Sequence, residues 1–175
     1  SSETTTAPGN ILPQERGALA ACSSSSYGYF GGGRDPDESP IYVDTVDRID
    51  FSNETTSAPG YNLTQARGGL AAVSSSSYGY FGGGVESPPT NYLDTIDRID
   101  FSNETVSPVT ATLPQARYVL GAVSSSSYGY FGGGFKPPNF TPEKKTVDRL
   151  DFSNETASAP GNNLSEGGSV AAVSN

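Results

Sequence analysis

An all-β chain made of repeated four-stranded antiparallel units is predicted by three observations. The string SSSSYGYFGGG occurs at residues 23–33, 74–84 and 124–134, so that Ser23 to Ser74 is 51 residues and Ser74 to Ser124 is 50. Short aromatic and β-branched runs alternate with clusters of Gly, Pro, Ser and Asn, the pattern of strands between turns. No stretch carries a helical period. A repeat of about fifty residues is longer than a leucine-rich or ankyrin unit and accommodates four short strands with their turns, as in one blade of a β-propeller.

The chain enters the repeat partway through, since Ser2-Glu3-Thr4-Thr5 aligns with Asn53-Glu54-Thr55-Thr56 and with the same turn at residues 103–106 and 154–157. A Pro-Gly turn follows at Pro8-Gly9, Pro59-Gly60 and Pro160-Gly161, then a link ending in Gln-x-Arg at Arg16, Arg67 and Arg117. The first strand is small and apolar, as in Gly69-Leu70-Ala71-Ala72-Val73, which suits an innermost strand where backbones approach closely. The four serines form a polar hairpin connection into the second strand, Tyr78-Gly79-Tyr80-Phe81. With a period of two, Tyr78 and Tyr80 share one face and Phe81 takes the other, so the strand is covered on both sides. Three glycines end it; no Lys-Ser or Lys-Thr follows, so a phosphate-binding loop is disfavoured.

The third strand spans residues 45–51, 95–101 and 146–152. Arg48 with Asp50, Arg98 with Asp100 and Arg149 with Asp151 suggest a ladder of charge pairs along it. The fourth is the Thr-rich segment after Asn-Glu-Thr. One array over residues 1–175 results, with units at about 1–16 (partial), 17–67, 68–117, 118–168 and 169–175 (partial). That is about fourteen strands, or roughly three and a half blades, where closed propellers have about four to eight. The open ends are expected to meet other copies of the chain or neighbouring repeats of a longer one. The absence of Met, even at position 1, also reads as a processed product or a piece of a longer repetitive polypeptide.

Only 34% of the residues are hydrophobic, a level compatible with disorder, but their fixed places in each unit argue for a packed structure. The net charge of −9 and a sequence pI near 4.3 leave no basic stripe for nucleic acid or anionic membrane surfaces. No apolar run approaches the roughly 20 residues of a spanning helix, so no membrane insertion is expected. The single cysteine, Cys22, occupies the position of Val73 and Val123 and reads as a small buried apolar residue.

The chain has no His, which removes the commonest general base and transition-metal ligand and leaves a serine triad without its base. The serine runs are therefore turn material. Identical acidic residues in every unit argue for a role that each unit needs, whereas an active site is one asymmetric cluster; no enzyme and no cofactor are expected. Calcium at Asp44, Asp47 and Asp50 is weakened by strand alternation, which turns the middle Asp away. Asn53, Asn103 and Asn154, with Asn62, Asn139 and Asn163, match the acceptor triplet for N-glycosylation, although an Asn capping its own turn explains the first three equally well.

The copies differ most after the glycine cluster, at residues 34–44, 85–94 and 135–145, which share little beyond Pro. In an up-and-down unit these loops lie on the same side as the Gln-x-Arg links, and the uniform Ser and Asn-Glu-Thr turns lie on the other. Specificity on a rigid scaffold belongs in the variable loops, which makes Tyr42, Tyr92 and Phe140 the candidate ligand-binding anchors. The alternative role for these rings is to hold the loops down.

The order of Arg, small apolar strand, aromatic strand ending in glycines, and alternating strand resembles the kelch repeat of β-propellers. More narrowly, YGYFGGG followed by TVDRIDFSNET and later QAR is similar to repeats in tail-associated and other structural proteins of marine bacteriophages, cyanophages especially. The chain departs from ordinary kelch repeats in having no Trp, and Gly168 stands where Arg117 stood one unit earlier. The resemblance implies a non-enzymatic structural and binding module, a virion or tail-fibre component, extracellular or on the particle, that attaches to a host-surface glycan or protein. A secreted carbohydrate-binding or adhesive protein of cellular origin is the alternative.

Overall fold

The computed structural model describes residues 9–37, 39–87, 90–135 and 145–167. Every regular element among them is a β-strand, and the strands form three four-stranded sheets and one two-stranded hairpin. The first sheet contains β1 (Ala20–Ser23), β2 (Tyr27–Gly31), β3 (Val46–Asp50) and β4 (Thr56–Ser57), side by side in chain order. The second contains β5 (Ala71–Ser74) and β6 (Tyr78–Gly82), is interrupted by the hairpin β7 (Val85–Glu86) and β8 (Asn91–Tyr92), and resumes with β9 (Ile96–Asp100) and β10 (Val106–Pro108). The third contains β11 (Gly121–Ser124), β12 (Tyr128–Gly132), β13 (Val147–Asp151) and β14 (Thr156–Ser158). All neighbours are antiparallel, and the register repeats: Tyr29 lies opposite Arg48, Tyr80 opposite Arg98 and Tyr130 opposite Arg149.

The local chemistry explains the turns. In each four-serine connection the second hydroxyl accepts the backbone N–H of the following tyrosine, as Ser24 Oγ does from Tyr27 at 3.0 Å and Ser75 Oγ from Tyr78 at 3.0 Å. In the turn after the third strand, Asn53 Oδ1 accepts from both the N–H and the hydroxyl of Thr55, and Asn103 and Asn154 repeat this. The intervening glutamates take left-handed backbone, φ 59° at Glu54, 57° at Glu104 and 54° at Glu155, which turns their side chains away from their own strand.

The core lies between sheets rather than within one. Ala20, Cys22, Tyr29 and Val46 of the first sheet pack with Phe81 and Ile99 of the second; Ala71, Val73, Tyr80 and Ile96 of the second pack with Phe131 and Leu150 of the third. Leu63 and Leu113 from the links seal the two gaps. The first strands of successive sheets touch, β1 against β5 and β5 against β11, so the small residues do sit where backbones crowd. A side chain at Gly79 would collide with Cys22 Sγ and come within 2.9 Å of Ile99 Cγ2, so glycine at this place in YGYF is a packing requirement. Cys22 is buried, and burial alone pushes its thiol well above the ordinary range.

Two expectations are corrected. The arginines of the third strand do not pair with the aspartate two residues on. Arg48 Nη1 instead donates to Glu104 Oε1 at 2.8 Å, and Arg98 Nη1 to Glu155 Oε1 at 2.8 Å, each reaching the next sheet. Asp50, Asp100 and Asp151 accept from the N–H and hydroxyl of Ser52, Ser102 and Ser153. The loop at residues 85–94 contains the β7–β8 hairpin, because Val85 and Tyr92 pair across it and Asn91 Nδ2 donates to Glu86 Oε1 at 2.8 Å. The opening Thr-rich strand and the partial unit expected over residues 169–175 lie outside the described residues.

Candidate functional site

The variable loops and the Gln-x-Arg links share one face. Gly17 and Arg34 exchange backbone hydrogen bonds of 3.0 and 2.7 Å, and Gly33 N donates to Arg67 O at 2.8 Å; the second loop repeats both contacts, so each of these two loops is laced to its own link and to the next. Beneath this lacing lie three buried ion pairs. Arg67 Nη2 donates to Asp97 Oδ2 at 3.0 Å, Arg117 Nη2 donates to Asp148, and Arg16 Nη1 lies 2.9 Å from Asp47 Oδ2 but out of hydrogen-bonding alignment. Burial lowers the pKa of the Arg67 and Arg117 guanidiniums and raises that of the Asp148 carboxyl, with the partner opposing the shift in each case. Carbonyls of the second strand, Phe81 O and Phe131 O, accept from the same guanidiniums. The arrangement anchors the loop face; it offers no open coordination or nucleophile.

On this scaffold the first loop and link enclose a shallow cleft of about 570 Å³ lined by Glu15, Arg34, Asp35 and Asp37 among others. Asp35 is nearly buried and accepts from Gln14 Nε2 at 3.2 Å and from Asp37 N at 3.0 Å, whereas Arg34, Asp37 and Glu15 are exposed. The cleft presents donors and acceptors of both charges, a lining that suits a polar surface.

Tyr42 and Tyr92 are half-buried rather than free-standing. The Tyr42 ring lies over Gly68 of the following link, close enough that a Cβ there would be 2.9 Å from it. Tyr92 packs against Tyr118, the residue in the position of Gly68 one unit later, at 5.2 Å between ring centroids, and Tyr118 in turn meets Phe135 at 5.7 Å. Each ring therefore clamps its loop onto the next unit. Phe140 lies outside the described residues. Asn53, Asn103 and Asn154 are exposed, with Oδ1 engaged in the turn.

The opposite face holds a feature that reading the units singly does not reveal. The grooves between successive sheets form two equivalent clefts of about 440 and 420 Å³, one lined by Ser24, Ser76, Tyr78 and Phe101 among others and the next by Ser75, Ser126, Tyr128 and Phe152. Recurrence of the same hydroxyls and rings at one period was their signal. Among the described residues no group of three or more His, Cys, Asp or Glu side chains is placed to hold a metal ion.

No family model matches the chain, and no curated protein sequence matches it. Among solved structures, the one described as "Structure of YjhT" superposes with a TM-score of 0.69 at 13% sequence identity, covering 86% of this chain and 52% of that one. The chain thus spans about half the length of that structure. At this identity the likeness is one of fold, an all-β arrangement of successive antiparallel sheets, and does not extend to chemistry.

Proposed function

We propose that this chain is a run of kelch-like β-propeller blades serving as a non-enzymatic structural and binding module, a virion or fibre component that attaches to a host or other surface through its variable-loop face. The observation that carries this reading is the contrast between the units: the gaps between sheets repeat nearly residue for residue, while the chain concentrates its differences in the loops laced over the Arg–Asp pairs. Radial contact of the small first strands favours blades over a two-layer sandwich. The absence of His and the engagement of Asp47, Asp97 and Asp148 by arginine favour binding over catalysis.

Two measurements test it. Mass spectrometry of purified particles or filaments from the source should find this chain as a stoichiometric component; its absence from every assembled fraction would remove the virion reading. Retention on intact cells and on an immobilised surface-polysaccharide panel should fall when Arg34 and Asp37 are both replaced by Ala, with the melting curve unchanged because both are exposed. Undiminished retention would move the contact off this face. The adhesive, carbohydrate-binding alternative is favoured by the two serine- and tyrosine-lined clefts, and Ser76→Asp would separate it by blocking the second face alone.

A further inference from the structure

The gap between successive sheets is closed twice in the same way. Phe101 stacks on Tyr29 with centroids 5.3 Å apart, and Phe152 stacks on Tyr80 at 5.2 Å. Glu104 receives Arg48 and the Tyr29 hydroxyl, at 2.8 and 3.1 Å; Glu155 receives Arg98 and the Tyr80 hydroxyl, at 2.8 and 3.2 Å. The rings of Phe81 and Phe131 fill the space that a side chain at Gly31 or Gly82 would need. The later sheet thus supplies a plug of two phenylalanines and a glutamate, and the earlier sheet supplies a socket of tyrosine, arginine and glycine.

Each outer surface carries one unmatched half. On the first sheet Phe51 is 49% exposed, and Phe30 is half-buried where its equivalents Phe81 and Phe131 are at 0%. Glu54 is exposed and has no ion pair among the described residues, yet it holds the same left-handed backbone as Glu104 and Glu155. On the third sheet Tyr130 is half-buried where Tyr29 and Tyr80 are at 0%, and Gly132 has only ordinary contacts, the nearest Leu164 at 3.5 Å. Arg149 lies over the Tyr128 ring at 4.8 Å, as Arg48 and Arg98 lie over theirs, but has no carboxylate partner among the described residues. Among the described residues the plug is formed without a socket, and the socket is formed without a plug.

We propose that these two surfaces bind each other between copies of this chain: Phe30, Phe51 and Glu54 of one copy enter the socket of Gly132, Tyr130 and Arg149 of a second. The contact is head to tail, so it repeats on the far side of each copy and yields a closed ring or an open filament according to the rotation per step. It extends the module reading to a partner. Its test reads association rather than attachment, so either can fail alone.

The experiment is sedimentation velocity of the 175-residue chain from about 1 to 100 μM, the range in which a modest specific contact becomes populated. The wild type should shift to larger species as concentration rises. Glu54→Arg and Arg149→Glu, each with a circular-dichroism melt to confirm the fold, should each remain monomeric alone. An equimolar mixture of the two should assemble again, because the altered plug of the first variant then meets the altered socket of the second with opposite charge, and the native Glu54 of the second meets the native Arg149 of the first. Phe51→Ser, a change at an exposed turn, provides a second route and should weaken association at least tenfold. A wild type that stays monomeric throughout, single variants that associate like the wild type, or a mixture that fails to assemble would each overturn the proposal.

Discussion

Arg67 and Asp97 face each other at 3.0 Å with neither side chain exposed, where the link between the first two sheets passes under the loop face. Thr64 donates its N–H and hydroxyl to the same carboxylate, and Thr95 accepts from the guanidinium. Removing one charge strands the other. Arg67→Met is expected to cost about 3–5 kcal/mol, and Arg67→Met with Asp97→Asn should recover a large part of it. Urea midpoints of the two variants decide the point; an equal loss in both would assign the effect to packing alone.

Val119 holds φ 56°, the position occupied by Gly69 at φ 64° and Ala18 at φ 54°. The three are joined by backbone hydrogen bonds, Gly69 N to Ala18 O at 2.8 Å and Val119 N to Gly69 O at 2.7 Å, which hold the valine in a conformation it otherwise avoids. Val119→Gly should relieve the strain and stabilise by about 1 kcal/mol, even after the added freedom of the unfolded chain is counted. Thermal melts would show the sign, and a lowered Tm would mean that the half-exposed valine side chain matters more than its backbone.

Gly79 is expected to tolerate nothing larger. Gly79→Ala should destabilise by about 1–3 kcal/mol through collision with Cys22 and Ile99. Because the thiol is the nearer obstacle, Cys22→Ala in the same chain should return part of the loss. Strict additivity of the two changes in a double-mutant cycle would contradict the contact.

Acid should weaken the fold through its turns. The hydroxyl and N–H of Ser52, Ser102 and Ser153 hold the Asp50, Asp100 and Asp151 carboxyls below the usual range. A folded pKa below the unfolded value gives stability that is present above about pH 4 and lost as pH falls through the folded values. Replacing the three serines with Ala should lower the urea midpoint at pH 7 and lower it by less at about pH 3, where the unfolded carboxyls are largely protonated and the contribution of these three is being lost. A deficit of equal size at both pH values would assign the effect to something other than these carboxylates.

The strands were legible because their chemistry repeats along one dimension. The aromatic second strand, the glycines that end it and the serine hairpins all follow from a period of two and from local turn rules. What was illegible depends on stacking. Period two places Arg48 beside Asp50 on one strand, but its actual partner, Glu104, is 56 residues away and enters only when sheets lie face to face. Likewise Tyr42 and Tyr92 stand out as loop aromatics, whereas the surfaces they cover, Gly68 and Tyr118, are equivalent in position and opposite in size. The buried Arg–Asp pairs were visible only as recurring letters, since nothing in the string shows that the loop lacing removes them from water.

The recurring plug and socket make the sheet-to-sheet joints interchangeable. Excising residues 68–117 would place Arg48 opposite Glu155, Tyr29 under Phe152 and Cys22 against Gly129, so the shortened chain would close its one remaining gap with the same kinds of side chain. The gap between sheets would thus join without a misfit, but the loop clamp would not, because Tyr118 would take the place of Gly68 beneath the Tyr42 ring, where even a Cβ comes within 2.9 Å. Array length is thereby coupled to loop identity: a unit comes out cleanly only with a matching change where a loop ring meets the next link.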